Sequence, residues 1–127
     1  MDFPLEFFYT KTHEWIKQEG DKARVGITYH AQNQLGDVVY VELPALDSAI
    51  ESGKVCAVVE SVKASYDIYA PISGKVKEIN NDLADKPQLV NEDPHGKGWF
   101  FIIEMENPKQ LDNLLSHKEY EELCQTK

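Results

Sequence analysis

The sequence is short of several things at once. It has only two cysteines, Cys56 and Cys124, with no C-x-x-C pair and no Cys/His grouping at metal-ligand spacing. That excludes a disulfide-stapled scaffold and gives no zinc-site pattern. Both cysteines are expected reduced and without a function, Cys56 as a small apolar residue in a strand and Cys124 near the chain end. No apolar run reaches about 18 residues, so no helical membrane span is expected. Basic residues are scarce: 13 Lys and Arg stand against 22 Asp and Glu, a net charge of −9. That sign argues against nucleic acid, which needs a basic patch, and against anionic membrane surfaces. It fits a soluble monomer that docks on basic partner surfaces. The start, Met1-Asp2-Phe3-Pro4-Leu5-Glu6, has neither the basic-then-apolar build of a signal peptide nor the Arg/Ser-rich composition of a transit peptide. The expected location is a bacterial cytoplasm, or a mitochondrial matrix for a processed eukaryotic chain.

Catalytic signatures are missing too. There is no G-x-S-x-G, no H-E-x-x-H and no phosphate-cradling glycine loop. His13, His30, His95 and His117 are scattered, and His13-Glu14 are strand neighbours whose side chains point to opposite faces. Asn91-Glu92-Asp93 lacks the further oxygens of a calcium loop. Trp15 and Trp99 read as packing residues. A protein that is not itself an enzyme is the expectation.

What is present is β punctuation. At 127 residues the chain makes one domain, 1–127, large enough for its own core. Phe7-Phe8-Tyr9 and Trp15-Ile16-Lys17-Gln18 have strand character, and Glu19-Gly20-Asp21-Lys22 turns into the return strand Ala23 to Ile27. Thr28 caps a short helix, Tyr29 to Leu35, ended by Gly36. Asp37 to Leu43 alternates as a strand up to Pro44, and Ala45 to Ser52 reads as a loop. Further strands are expected at Val55 to Ser61, Lys75 to Ile79 and Trp99 to Ile103, with one helical turn in 80–85 and mostly loop over 88–99. Asn107-Pro108 opens a C-terminal helical segment, about 107–125, with Leu111, Leu114 and Leu115 on one face. Ser116-His117-Lys118-Glu119 is a capping box for a second short helix. Many short strands with Gly/Pro turns and terminal helices predict a mainly β sandwich or flattened barrel.

One stretch organises the rest. Apolar residues run from Val55 to Val59, and alternating residues leave from Tyr66 to Ala70. The break at Val62-Lys63-Ala64-Ser65 makes this a hairpin with Lys63 at its tip, although no Asn-Gly or Asp-Gly marks the turn. On pattern alone Lys63 is as readily one more solvated lysine.

At Glu60-Ser61-Val62-Lys63-Ala64 the chain resembles the H protein of the glycine cleavage system. The matching stretches include Thr12-His13-Glu14-Trp15, Val25-Gly26-Ile27-Thr28, Leu35 to Pro44, Asp67 to Gly74, Leu89-Val90-Asn91 and Gly98-Trp99. Val62 stands where lipoyl domains of 2-oxo-acid dehydrogenases usually have Asp, and Val62 and Ala64 replace the Met residues that flank a biotin carrier's lysine. The resemblance implies a hybrid barrel-sandwich of the lipoyl/biotinyl type, with a short helix in the N-terminal half and short C-terminal helices. It implies lipoic acid carried covalently on Lys63 as N6-lipoyllysine. It implies a shuttle of aminomethyl groups and reducing equivalents between glycine decarboxylase (P protein), aminomethyltransferase (T protein) and dihydrolipoyl dehydrogenase (L protein), loaded by a lipoate ligase or lipoyl transferase. Thr12, Glu14 and Asp67 match family positions that contact the arm and its cationic aminomethyl end. The alternative on the same lysine is an H-like lipoate donor or relay, and an unmodified binding scaffold is a third reading. Two departures stand out: Tyr29 where the family commonly has an acidic residue, and Tyr66 where a small Ser is common. A ring at Tyr66 is expected to pack under the arm, narrow its cleft or alter docking.

Overall fold

Alternating strands joined by tight turns pair with their sequence neighbours first, and this chain follows that rule at its start. The computed structural model describes residues 6–125. β1 (Phe8–Tyr9) pairs with β2 (Glu14–Glu19), and β2 with β3 (Lys22–Ile27) through the expected turn. Gly20, first of the two turn residues, has a φ of 69°, as a hairpin connection of this length favours. α1 (Tyr29–Leu35) is capped as predicted, with the Thr28 hydroxyl accepting from the Ala31 N–H.

The chain then leaves for a second sheet. β4 (Val38–Glu42), β6 (Val55–Ser61) and β7 (Ser65–Tyr69) form three strands in the order β4-β6-β7. β5 (Ala49–Ile50), β8 (Gly74–Ile79) and β9 (Phe101–Met105) return to complete a six-stranded sheet, β1-β2-β3-β9-β8-β5. These pairings are all antiparallel. Both sheets are open, and they share one core in which Ile16, Val25 and Ile103 meet Val41, Val59 and Ile68. Two short helical turns, α2 (Asp82–Asp85) and α3 (Leu89–Glu92), contribute Leu83 and Val90 to it. The mainly β class with short helices is as expected.

Several details differ from the sequence reading, each for a local reason. β4 does not simply alternate: a bulge between Val38 and Tyr40 puts Val38 and Val41 inside and leaves Val39 and Tyr40 exposed. The expected loop before Ser52 contains β5, two residues held against β8. Likewise the expected loop 88–99 contains α3. β9 begins two residues late because the Trp99 N–H closes a turn on Gly96 O, 3.2 Å away. The segment Pro108–Asn113 is a 3₁₀ turn rather than an α-helix. It stops early because Leu115 exchanges backbone hydrogen bonds with Tyr9, at 2.9 and 2.7 Å.

The capping box holds as read. The Ser116 hydroxyl accepts from Glu119 N–H, and the Glu119 carboxylate accepts from Ser116 N–H, opening α4 (His117–Gln125). α4 folds back so that Tyr120 stacks on Tyr9, with ring centres 4.7 Å apart and planes 8° from parallel. Phe7, Tyr9, Trp15 and Tyr120 form a second, aromatic core at this end.

Candidate functional site

The β6–β7 hairpin carries Lys63 on a three-residue tip that builds its own turn. Cross-strand pairing runs as far as Glu60 opposite Ser65. Ser61 N–H then donates to Ala64 O at 2.8 Å, while the Ser61 hydroxyl accepts from Lys63 N–H at 3.2 Å and Ala64 N–H at 3.3 Å. A serine hydroxyl thus supplies the local closure that Asn-Gly would otherwise provide. The tip is also tied to the body, because Val62 N–H donates to Asp37 O at 3.0 Å.

Asn91, reached from α3, holds the residues on either side of Asp37. Its side-chain oxygen accepts from Val38 N–H at 2.9 Å, and its amide donates to Gly36 O at 2.8 Å and to the Gln32 side chain at 3.0 Å. Asn91 thus has a structural role that its place in an expected loop did not indicate. Asn91 braces the connection on which the Lys63 tip leans, from 28 residues further along the chain, and no local pattern announces that.

Lys63 is exposed, and the valine before it keeps 67 % of its surface. The Lys63 ammonium donates to Gln34 O, 2.9 Å away, at the end of α1. Its stem passes over Gly36, where an added Cβ would stand 3.5 Å from Lys63 Cε. Gly36 has a φ of 79°, so the helix stop and the open floor under the lysine are one feature.

Next to Gln34 opens a cavity of about 150 Å³, walled by Thr12, His13, Leu35, Tyr66 and Asp67 among others. A second hollow of about 310 Å³ holds Thr10, Thr12, Glu14, Tyr69 and Pro71. Thr12 belongs to both walls, so the structure groups it with Asp67 on one side and with Glu14 on the other. Tyr66 stands on the wall of the first cavity, 42 % exposed. Tyr29 lies apart from both linings, and its N–H donates to His95 Nε2 at 3.1 Å.

Glu14 is 1 % exposed. The hydroxyls of Thr10 and Thr12 donate to one carboxylate oxygen, and Tyr69 N–H approaches the other at 3.4 Å. Burial raises its pKa above the ordinary carboxylate value, and these hydrogen bonds oppose the rise. Among the described residues no ion pair includes it. A buried acid with acceptor capacity toward a cavity is equipped to meet a cation.

Trp15 and Trp99 pack as read. Trp15 is wholly buried, and Arg24 lies over Trp99 at 5.1 Å. Both cysteines are free. The Cys56 thiol is pushed up to about 12, by burial first and the nearby Glu14 second, so it is inert. The histidines are less scattered than the sequence suggests: ligand atoms of His13, His30 and Cys124 lie within 4.8 Å of one another. No spacing signal marks this trio, because only the return of α4 brings Cys124 to the first third of the chain.

The family model for glycine cleavage H-protein matches residues 7–127. The chain is 52 % identical over 121 residues to the glycine cleavage system H protein of Acinetobacter baumannii, covering 95 % of this chain and 98 % of that one. It is 51 % identical over 126 residues to that of Thermus thermophilus, covering 99 % and 98 %. The crystal structure of a glycine cleavage system H protein from Mycobacterium marinum superposes with a TM-score of 0.89 at 34 % identity, over 97 % of this chain and 99 % of that one. With a braced lysine hairpin of the expected form and near full-length matches of this strength, the chain belongs to the glycine cleavage H-protein family.

Proposed function

We propose that Lys63 is the lipoylation site of this chain, the lipoyl-carrying shuttle of the glycine cleavage system. The observation that carries the reading is an exposed amine on a tip pinned twice, through Ser61 within the hairpin and through Asp37 on the body. A modifying ligase needs the amine to reach into its own site, and successive partners need the attachment point to stay put. The floor at Gly36 and the cavity beside Gln34 fit an aliphatic arm that leaves Lys63 along the surface.

When bound, the lipoyl group would supply a dithiolane able to carry an aminomethyl group and reducing equivalents between the decarboxylase, the aminomethyltransferase and the dihydrolipoyl dehydrogenase. The chain's own residues position and shield. Acylation converts the Lys63 ammonium to a neutral amide, which keeps one N–H for Gln34 O. Thr12, Glu14 and Asp67 offer hydroxyl and carboxylate oxygens to a cationic amine. The buried Glu14 is best placed to profit, because a partner charge relieves its desolvation. Tethering keeps the arm at millimolar-order local concentration in each docked active site. The chain itself carries and does not catalyse, and the bacterial origin of its relatives favours a cytoplasmic setting. A lipoate-donor role would use the same lysine, but the similarity to glycine cleavage proteins favours the shuttle.

Intact mass after incubation with a lipoate ligase, ATP and lipoate tests the site. Wild type gains one lipoyl mass and Lys63→Arg gains none. A modified Lys63→Arg, or an unreactive wild type, overturns the assignment. Glycine–bicarbonate exchange with the decarboxylase separates shuttle from donor, since only the shuttle supports it.

A further inference from the structure

Three chain segments distant in sequence converge behind the Thr12–Glu14 turn. His13 lies in that turn, His30 in the first turn of α1, and Cys124 in the last turn of α4. Their ligand atoms lie within 4.8 Å of one another, the only such grouping among the described residues. The two imidazoles stand 4.6 Å apart at an interplanar angle of 39°, and Nε2 of His30 is screened from solvent.

The surroundings hold this grouping in shape. His13 has a φ of 72°, uncommon for a residue with a side chain, and keeps it through backbone hydrogen bonds on both sides: its N–H to Thr10 O at 3.1 Å, and its O from Thr28 N–H at 3.0 Å. Tyr120, one helical turn before Cys124, is fully buried, and its hydroxyl lies 2.7 Å from His13 Nδ1 and 2.6 Å from the Thr28 hydroxyl. A hydroxyl on an imidazole nitrogen is the kind of outer contact that fixes a ligand histidine's tautomer and tilt.

We propose that His13, His30 and Cys124 form a His₂Cys site for a zinc-class divalent cation, which staples the C-terminal helix to the turn bearing Thr12 and Glu14. Two imidazoles and a thiolate are the borderline-soft donors that zinc and cobalt(II) prefer, and three protein ligands leave a fourth position open. A tetrahedral ion with ordinary Zn–N and Zn–S lengths needs ligand atoms roughly 3.4–3.6 Å apart, so the trio closes by about 1 Å through small side-chain rotations. Binding displaces the Cys124 thiol proton to solvent and leaves both imidazoles neutral, so the charge balances without any redox partner. His13 also lines the cavity beside Gln34. The inference does not depend on Lys63, and the test uses unmodified protein.

Cobalt(II) added to the reduced, unmodified full-length chain reads the site directly. The expected result is a near-ultraviolet thiolate-to-cobalt band that saturates at one equivalent and is displaced by zinc. Cys124→Ser abolishes the band and Cys56→Ser keeps it. His30→Gln, an exchange that retains polarity and bulk, weakens cobalt binding more than tenfold while the far-ultraviolet dichroism stays that of wild type. Zinc raises the melting temperature of wild type by several degrees and leaves Cys124→Ser unmoved. An absent band, a band that survives Cys124→Ser, or equal affinity in wild type and His30→Gln overturns the proposal.

Discussion

Replacing Gly26 with alanine tests how the aromatic end of the fold supports the site. Gly26 pairs with Trp15 across β2 and β3, and its Cβ would fall 2.7 Å from Cε2 and Cζ2 of the Trp15 indole. The backbone there has no positive φ, so space alone forbids the methyl group. The ring cannot retreat easily: it is fully buried, it stacks on Phe7 at 4.7 Å, and its N–H donates to Pro94 O at 2.8 Å. Overpacking a core by one methyl costs about 1–3 kcal/mol. If the indole tilts away, an unmade buried hydrogen bond costs about 1–3 kcal/mol instead or in part. A total of about 2–4 kcal/mol lowers the melting temperature by roughly 8–16 °C in a chain of this size. Thermal unfolding followed by tryptophan fluorescence and dichroism measures it. A melting temperature within about 2 °C of wild type refutes the claim that Trp15 is held from every side.

Two titrations carry opposite signs. His95 is pushed down to about 4 by burial, against a raising effect of Asp93, so the folded chain holds it neutral while the unfolded chain protonates it below about 6.5. Stability present above 6.5 is therefore lost as pH falls toward 4, by about 2 kcal/mol once its partial exposure is allowed for; His95→Gln should flatten that decline in urea titrations. Glu14 has a raised pKa, so its folded form favours the proton. Its cost grows as pH rises from the ordinary carboxylate value through the raised one, and Glu14→Gln should gain on wild type over that interval in the same titrations. Tyr66→Ser opens the wall beside Lys63 and should shorten several-fold the half-life of formaldehyde equivalents bound to the loaded protein, with a stability change of about 0.2–1 kcal/mol from the lost pair with Val59. An unchanged half-life shows that Tyr66 does not shield the arm.

Local grammar was enough for the hairpins, the Thr28 cap, the Gly36 stop and the Ser116–Glu119 capping box, because each is decided by residues within one turn of each other. The Lys63 tip was visible as a break between two apolar runs, and the resemblance gave that break a meaning. What encloses Lys63 was not visible. The bulge that turns Val39 and Tyr40 outward depends on how β4 meets β6. The brace at Asp37 depends on Asn91, and the grouping of His13 and His30 with Cys124 on α4 folding back over β1.

By itself, then, the sequence determined an acidic, mainly β chain with Lys63 at a hairpin tip, since alternation, turn residues and charge are properties of short stretches. Only the tertiary structure decided which side chains surround that lysine and which histidines meet a cysteine. Those contacts join segments as much as 111 residues apart, as His13 and Cys124 are. They exist only once two sheets and a returning helix have excluded water from the space between them.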